Sequence, residues 1–156
     1  MKIYSRSVIE SQVMKAINLL IKHDAFLLQS NVNERSISHK LAEYLQTEFQ
    51  GWHVDCEYNR DHDLTKQLDV PKDAARIDDT EAKTVFPDII VHRRDTSENL
   101  LVIEVKKSSN PDNGDFDRRK LAAFVRPPFS YQHGLFLRLQ VGSSNTNHEL
   151  DWFPPE

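Results

Sequence analysis

Two apolar runs stand near the middle of the sequence: Val85-Phe86-Pro87-Asp88-Ile89-Ile90-Val91 and Leu100-Leu101-Val102-Ile103-Glu104-Val105-Lys106. The polar residues 93–99 separate them. Short apolar runs bounded by turn-forming residues are typical of buried strands. The two runs therefore predict a pair of adjacent central strands joined by a turn.

The residues on either side predict helices and further strands. The hydrophobic period predicts three helices: one over 8–22, one from Asn33 to a stop at Gly51, and one over 115–125. It also predicts two further strands, over 52–58 and 135–141. The first helix opens with a capping-box pattern, Ser7 followed three residues later by Glu10. Residues 59–84 are polar and predict a long loop or lid, and residues 152–155 predict a tail. This order of elements predicts a mixed sheet with helices packed on it.

Length and composition restrict the class of protein. The 156 residues suit a single domain over 1–156, and 38% hydrophobic residues exclude a disordered chain. A formal net charge of -4 excludes a global basic field. The lone cysteine, Cys56, excludes an intramolecular disulfide and a cysteine-based zinc site, and its place on the apolar face of a strand predicts that it is buried. Without a signal-peptide pattern or a long apolar run, we expect a cytoplasmic protein that does not enter the membrane.

Three charged residues interrupt the central strands: Asp88 in the first run, and Glu104 and Lys106 in the second. Burying an unpaired ionised group costs several kcal/mol. Residues two apart in a strand share a face, so Glu104 and Lys106 point the same way, and pairing of the strands brings Asp88 beside them. This predicts a divalent-metal site with a positioned cation. The alternative is a turn-forming Asp88 and an exposed charge pair on a strand buried on one face only.

Carboxylates are suitable ligands for Mg²⁺, which in proteins binds one or two of them together with substrate phosphate and water. Between Asp88 and Glu104, such an ion would lower the pKa of a water molecule and neutralise charge on a scissile phosphate. Lys106 would orient that water or stabilise the transition state. The three residues therefore predict phosphodiester hydrolysis, with Mg²⁺ as the cofactor and Mn²⁺ as its substitute.

At these residues the chain resembles the PD-(D/E)XK nuclease superfamily. The resemblance rests on Pro87-Asp88, a hairpin and Glu104-Val105-Lys106, with a helix and a strand after them and a helix opening with Glu34 before them. The resemblance spans about residues 33–141, and this segment is similar to the minimal core of archaeal-type Holliday-junction resolvases. It implies an α/β fold, a restriction-endonuclease-like mixed β-sheet core flanked by helices, to which the helix over 8–22 is an extra N-terminal addition.

The resemblance implies a role for each matching position. Asp88 and Glu104 would be metal ligands, the Val105 carbonyl would complete the shell, and Lys106 would be the catalytic lysine. Glu34 resembles the acidic residue that many members supply from the first core helix, as a further metal ligand. Its helical spacing places it on the buried stripe, although an acid in the first turn is also favoured by the helix dipole. The chain departs from the helicase-associated exonuclease branch, since no clear Gln-x-x-x-Tyr motif follows the lysine.

Positive charge is concentrated in the half of the chain that carries these residues. Residues 92–138 contain nine Lys and Arg against six Asp and Glu, whereas residues 1–91 contain 11 against 15. Phosphate-backbone binding requires such a local basic patch. The candidate nucleic-acid contacts are Arg35, His39, Lys107, Arg118, Arg119 and Lys120. For residues 118–120 the alternative is a solvated helix face.

These observations predict a Mg²⁺-dependent endonuclease that acts on DNA in preference to RNA. One alternative is a protein of the same fold that binds nucleic acid or serves assembly, with weak or absent nuclease activity. Another is a hydrolase of a different phosphate ester. A domain of this size covers few base pairs, and cutting both strands of a duplex in one encounter needs two active centres. We therefore expect a homodimer or a component of a larger complex.

Overall fold

The computed structural model describes residues 2–58, 86–143 and 147–155 of the chain. Within these residues the chain forms three helices and five strands. In chain order they are α1 (Arg6–Gln29), α2 (Glu34–Glu48), β1 (His53–Cys56), β2 (Ile89–His92), β3 (Asn99–Lys107), α3 (Asp115–Phe124), β4 (His133–Leu139) and β5 (Glu149–Phe153). The loop or lid predicted over 59–84 lies outside the described residues.

The five strands form one open mixed sheet in the order β1-β2-β3-β4-β5. Neighbouring strands are antiparallel except β3 and β4, which are parallel. A parallel pair needs a crossover connection rather than a hairpin, and α3 lies in that connection. The predicted α/β class is confirmed: a mixed sheet flanked by helices, with α1 as an additional N-terminal helix.

Alternation along β3 separates the two faces of the sheet. Leu101, Ile103 and Val105 belong to the core shared with α1 and α2, while Val102 packs with Leu121 of α3. Each of these side chains is 1% exposed or less. Burial of a large apolar side chain contributes roughly 1.5–3 kcal/mol. Both faces therefore stabilise the fold, and a charged group on either face is in a costly position.

Glu104 and Lys106 lie on the face of β3 that α3 covers. They are 2% and 8% exposed, and both contact charged side chains of α3. The prediction that they share a face is confirmed. The alternative of an exposed charge pair on a one-sided strand is excluded, because helices cover both faces of β3.

α1 begins earlier and ends later than predicted. Ser5, its N-cap residue, makes no side-chain capping hydrogen bond, and Ser7 lies inside the helix, so the capping box predicted for Ser7 and Glu10 is wrong. The helix continues past residue 22 because Leu28 is 5% exposed and packs in the same core. It is interrupted at Asp24, whose φ of -129° is non-helical. None of the helices in the described part of the chain, α1 included, is long and apolar enough to cross a membrane.

α2 and β1 lie where the sequence predicts them, but the exposure of the Cys56 side chain differs from the prediction. Asn33 caps α2 with its side chain, as expected of the first residue of that segment. Cys56 is exposed, so the prediction of a buried thiol is wrong. Gln46 of α2 binds the other end of β1, through the Trp52 carbonyl at 2.9 Å and the Val54 N–H at 3.0 Å. Within the described residues β1 is an edge strand, which leaves Cys56 open to solvent.

The predicted tail is a strand instead. Leu135 of β4 pairs with Trp152 of β5, and Gly134 pairs with Phe153. Alternate residues of β5, Leu150 and Trp152, pack against the core beneath α1 and α2. The strand is only five residues long and none of its side chains is fully buried, so its sequence pattern is too weak to predict a strand instead of a tail.

Candidate active site

Asp88, which directly precedes β2, lies beside Glu104 of β3. The ladder between β2 and β3 ends with Ile89 opposite Ile103, so the next residues outward, Asp88 and Glu104, lie side by side. The Asp88 carboxylate accepts a hydrogen bond from the Val105 N–H at 2.8 Å, which fixes it against β3. Each carboxyl group also affects the pKa of the other. The structure thus brings together the two carboxylates that the sequence predicts as a pair.

α3 adds an aspartate and a lysine to this site. Lys120 Nζ lies 2.9 Å from Glu104 Oε1, and Asp117 Oδ2 lies 2.8 Å from Lys106 Nζ. Asp117 is also 3.8 Å from Lys120 Nζ, so it links the two ion pairs. Lys120 is 3% exposed. It therefore lies inside the protein, not on the surface where a nucleic-acid contact or a solvated helix face would place it.

Helical spacing was the signal available for these two residues. Asp117 stands four residues before Leu121, and Lys120 stands four before Phe124. Both apolar residues are 2% exposed or less. Side chains four apart lie on the same face of a helix. Asp117 and Lys120 therefore lie on the side of α3 that faces the sheet, just as Glu34 lies on the inner side of α2.

Burial raises the pKa of both carboxyl groups. It raises the pKa of Glu104 well above its usual value; the charge of Lys120 opposes this shift, while Asp88 and Asp117 add to it. Burial also raises the pKa of Asp88, against the opposing effects of the Val105 N–H and Lys120. Two acids close together in a dry site resist ionising at the same time. A bound cation would remove that penalty.

The two lysines stay charged despite their burial. Burial alone would lower the pKa of Lys106, but the hydrogen bond and charge of Asp117, together with the charge of Asp112, raise it overall. Burial also lowers the pKa of Lys120, but the charges of Glu104 and Asp117 raise it by more, so the net shift is upward. Carboxylates therefore hold both ammonium groups in place.

Glu34 reaches the same end of β3 from α2. Its Oε2 accepts hydrogen bonds from the Lys107 N–H at 3.0 Å and from Asn110 Nδ2 at 3.3 Å. The side chain is half-buried, in agreement with the helical-wheel prediction. Its charge is among the causes that raise the pKa of Lys106. Glu34 thus lies at the edge of the charged cluster, bound to two amide groups.

A cleft opens beside Asp88, between α2 and β1. Its volume is about 400 Å³, and its lining consists of Glu34, Arg35, Ser38, His39, Cys56, Glu57 and Asp88. Two predicted nucleic-acid contacts, Arg35 and His39, therefore lie beside a predicted catalytic residue. Both are exposed and both have acidic partners, Glu57 at 3.0 Å and Glu43 at 2.9 Å. Exposed ion pairs contribute little, so a phosphate group could replace either partner.

The other predicted nucleic-acid contacts have different surroundings. Lys107 Nζ donates to a backbone carbonyl between α1 and α2 at 3.2 Å. Arg118 Nε lies 2.8 Å from Asp151 of β5, and its guanidinium group is 4.2 Å from the centre of the Phe136 ring. Arg119 is exposed. Lys107 and Arg118 thus have structural partners, and Arg119 presents its side chain to solvent.

The carboxylate and carbonyl oxygens around Glu104 are the type of ligand that a hard divalent cation binds. Within the described residues, no three His, Cys, Asp or Glu side chains form a group arranged to hold a metal ion. Asp88 and Glu104 nevertheless supply two buried carboxylates, of which Glu104 pairs with Lys120 through Oε1 at 2.9 Å. The N–H and C=O of a strand residue point to the same neighbour, so the Val105 carbonyl faces the Asp88 side as its N–H does. These oxygens fit Mg²⁺, which takes its remaining ligands from water and substrate.

The fold and the side chains define a class: a mixed α/β protein with a buried cluster of carboxylates and lysines beside a cleft. No protein-family model, curated protein or solved structure matches this chain.

Proposed function

We propose that the protein is a Mg²⁺-dependent nuclease of the PD-(D/E)XK type that hydrolyses phosphodiester bonds, in DNA rather than RNA. The observation that carries the proposal is the Asp88 carboxylate bound to β3 beside Glu104, with Lys106 on the same face of that strand and an open cleft lined by Asp88. Buried charges in such a position are costly to the fold. Clustered groups with shifted pKa values are characteristic of functional sites. The order of helices and strands is also the one that the resemblance implies.

Each residue of the cluster has a role in the proposed reaction. Asp88, Glu104 and the Val105 carbonyl would hold the ion, which when bound supplies neutralisation of phosphate charge and activation of water. Lys106 would donate a hydrogen bond to the scissile phosphate and stabilise the charge that develops there. Asp117, 2.8 Å from the Lys106 ammonium group, would hold that group in position.

The cleft provides a route for the substrate to Asp88. Arg35 and His39 at its rim would bind phosphate groups on either side of the scissile bond. Such contacts position a nucleic acid without reading its sequence. They also make binding dependent on salt, so affinity for DNA should fall as the salt concentration rises.

A second candidate function is nucleic-acid binding or assembly without nuclease activity. The observation that favours it is the pairing of both lysines, Lys106 with Asp117 at 2.8 Å and Lys120 with Glu104 at 2.9 Å. A buried network whose charges are mutually neutralised can serve the specificity of a fold rather than chemistry. In that case the cluster would be structural, and only the rim of the cleft would contact nucleic acid.

The proposed nuclease acts as a homodimer or within a larger complex, because one small domain presents one active centre to a duplex that has two strands. The proposal places it in the cytoplasm. The single cysteine supports this location, since disulfides are rare in reducing compartments.

A cleavage assay tests the proposal. Purified protein is incubated with supercoiled, linear, single-stranded and junction DNA, and with RNA, in Mg²⁺, Mn²⁺ or chelator. We expect DNA cleavage with either metal and none in chelator. Asp88→Asn, Glu104→Gln and Lys106→Ala should abolish cleavage while keeping the circular dichroism spectrum of the folded protein. Glu48→Gln on α2 is the control and should cleave like the wild type.

The outcomes separate the two candidates. Full cleavage in chelator, or by the Glu104→Gln protein, would contradict the mechanism. Binding of DNA or RNA without cleavage in any metal would support the second candidate.

A further inference from the structure

Lys120 is a buried cation at the point where the carboxylates converge. Its ammonium group lies 2.9 Å from Glu104 Oε1 and 3.8 Å from Asp117 Oδ1. The charge of Asp88 also raises the pKa of Lys120. The side chain is 3% exposed and comes from α3, which covers this face of β3. Lys120 thus lies against the Glu104 carboxylate, one of the two that the proposed metal ion would bind.

The two cations compete for the same carboxylate. Mg²⁺ binds carboxylate oxygens at about 2.0–2.1 Å and demands near-octahedral geometry. An ammonium group 2.9 Å from Glu104 Oε1 stands in the space from which such an ion would approach that oxygen. Like charges a few ångströms apart in a buried site also repel strongly, because little water screens them.

Lys120 has a nearby position to which it can move. Asp117 lies between the two lysines and already contacts both, Lys106 at 2.8 Å and Lys120 at 3.8 Å. A lysine carries its charge on a flexible four-carbon stem. Rotation about this stem would move the ammonium group from Glu104 towards Asp117 Oδ1, which lies 3.8 Å away.

We propose that Lys120 is an internal counter-ion for Glu104 in the ligand-free protein and that a divalent cation bound by Asp88 and Glu104 displaces it towards Asp117. This inference rests on the proposed function, since it concerns the metal site of that reaction. Lys120 is therefore a regulatory residue of the site: it stabilises the empty cluster and lowers the affinity for metal. Lys106, already held by Asp117, is not displaced.

Mn²⁺ binding to the purified protein tests the displacement. Affinity is measured by electron paramagnetic resonance for the wild type, Lys120→Met and Lys120→Gln, with Lys15→Met on the exposed side of α1 as the control. Met keeps the length of the lysine stem, and Gln keeps a polar end, so the second variant serves if the first does not fold. We expect both variants to bind Mn²⁺ about tenfold more tightly than the wild type, a change of about 1.4 kcal/mol. Lys15→Met should bind Mn²⁺ like the wild type.

Two results would overturn the inference, and they are distinguishable. In the first result, the wild type binds Mn²⁺ and the folded Lys120 variants bind it equally tightly or more weakly. This would exclude displacement but would leave the proposed nuclease function intact. If neither the wild type nor the variants bind Mn²⁺, the metal site fails, and with it both this inference and the proposed function.

Discussion

Ion pairs hold the charged side chains at the centre of this molecule. Glu104 pairs with Lys120 at 2.9 Å, and Lys106 pairs with Asp117 at 2.8 Å. Removing one partner of a buried pair leaves the other charge unpaired, which costs about 3–5 kcal/mol. A substitution here therefore changes stability as well as chemistry. Every measurement of activity on these residues needs a measurement of unfolding beside it.

A second group of polar side chains surrounds Asp55 on β1. Its Oδ2 lies 2.7 Å from His92 Nε2 and accepts a hydrogen bond from Arg94 Nε at 3.0 Å. The Tyr58 ring packs edge-on against His92, 4.7 Å between centres. The hydrogen bonds from Arg94 hold the pKa of Asp55 below its usual value; burial opposes this and the bond to His92 adds to it. The carboxylate is thus stabilised in its charged form.

Asp55→Asn should destabilise the protein at neutral pH and less so in acid. Because the folded-state pKa of Asp55 is below the unfolded value of about 3.9, its contribution to stability is complete above that pH and is lost as the pH falls through the folded pKa. We expect a loss of about 1–3 kcal/mol at pH 7, shrinking below pH 4. Urea unfolding at pH 7 and pH 3 measures it, with Glu10→Gln on α1 as the control. A loss of the same size at both pH values would contradict the assignment.

At the scale of elements, α3 positions two members of the charged cluster, and Gly114 sets where it begins. Gly114 has a φ of +84°, and a Cβ on it would lie 2.6 Å from Phe136 Cζ. Phe136 is fully buried on β4. Glycine meets both requirements, since it adopts positive φ without strain and brings the backbone close to the ring.

Gly114→Ala should be more destabilising than Gly51→Ala. Both glycines have nearly the same φ, +84° and +85°, so the backbone cost of about 1–2 kcal/mol is common to both variants. At Gly51, a Cβ would meet no atom of the described residues within 4 Å. At Gly114 it would collide with a buried ring, and overpacking adds roughly 1–3 kcal/mol. Thermal unfolding of the two proteins measures the difference, and equal melting temperatures would refute the packing argument.

Glu34 joins α2 to the end of β3, and its variants separate a structural role from a chemical one. Glu34→Ala removes the acceptor of two hydrogen bonds and should cost roughly 1–3 kcal/mol. Glu34→Gln keeps one acceptor oxygen and should cost less. If Glu34 also supports the metal ion, Glu34→Gln lowers metal affinity or turnover by about 10- to 100-fold. Unchanged turnover would assign Glu34 to structure alone; Glu48→Ala, at the end of α2, is the control.

In the whole molecule, the site lies where both layers of helices meet the sheet. α2 reaches it from one face through Glu34, and α3 reaches it from the other through Asp117 and Lys120. The chain has a formal net charge of -4, so attraction of a polyanion depends on local groups such as Arg35. One chain presents one such site within the described residues.

The proposed homodimer predicts coupled cutting of the two strands of a duplex. Two sites related by symmetry would convert supercoiled DNA to linear DNA with little nicked intermediate. Light scattering of the protein, together with a time course of product forms, tests this. A monomer that makes concerted double-strand breaks would contradict the expectation.

Local patterns in the sequence were sufficient for the three helices, for the strands β1 to β4 and for the faces of the central strands. Alternation placed Glu104 and Lys106 on one face of β3, and helical spacing placed Glu34 on the inner side of α2; the structure has both arrangements. These features depend on residues that are close in the chain. A helix repeats every 3.6 residues and a strand every two, so the direction of a side chain follows from its neighbours in sequence.

The charge partners in the site depend on contacts that local patterns do not contain. Lys120 meets Glu104 because the crossover folds α3 onto one face of β3, and Cys56 is exposed because β1 lies at an edge of the sheet. β5 is a strand because it pairs with β4. Periodicity shows which side of an element is buried, but the packing of whole layers decides what that side meets. The tertiary structure therefore determined that the lysine of α3 neutralises the carboxylate of β3.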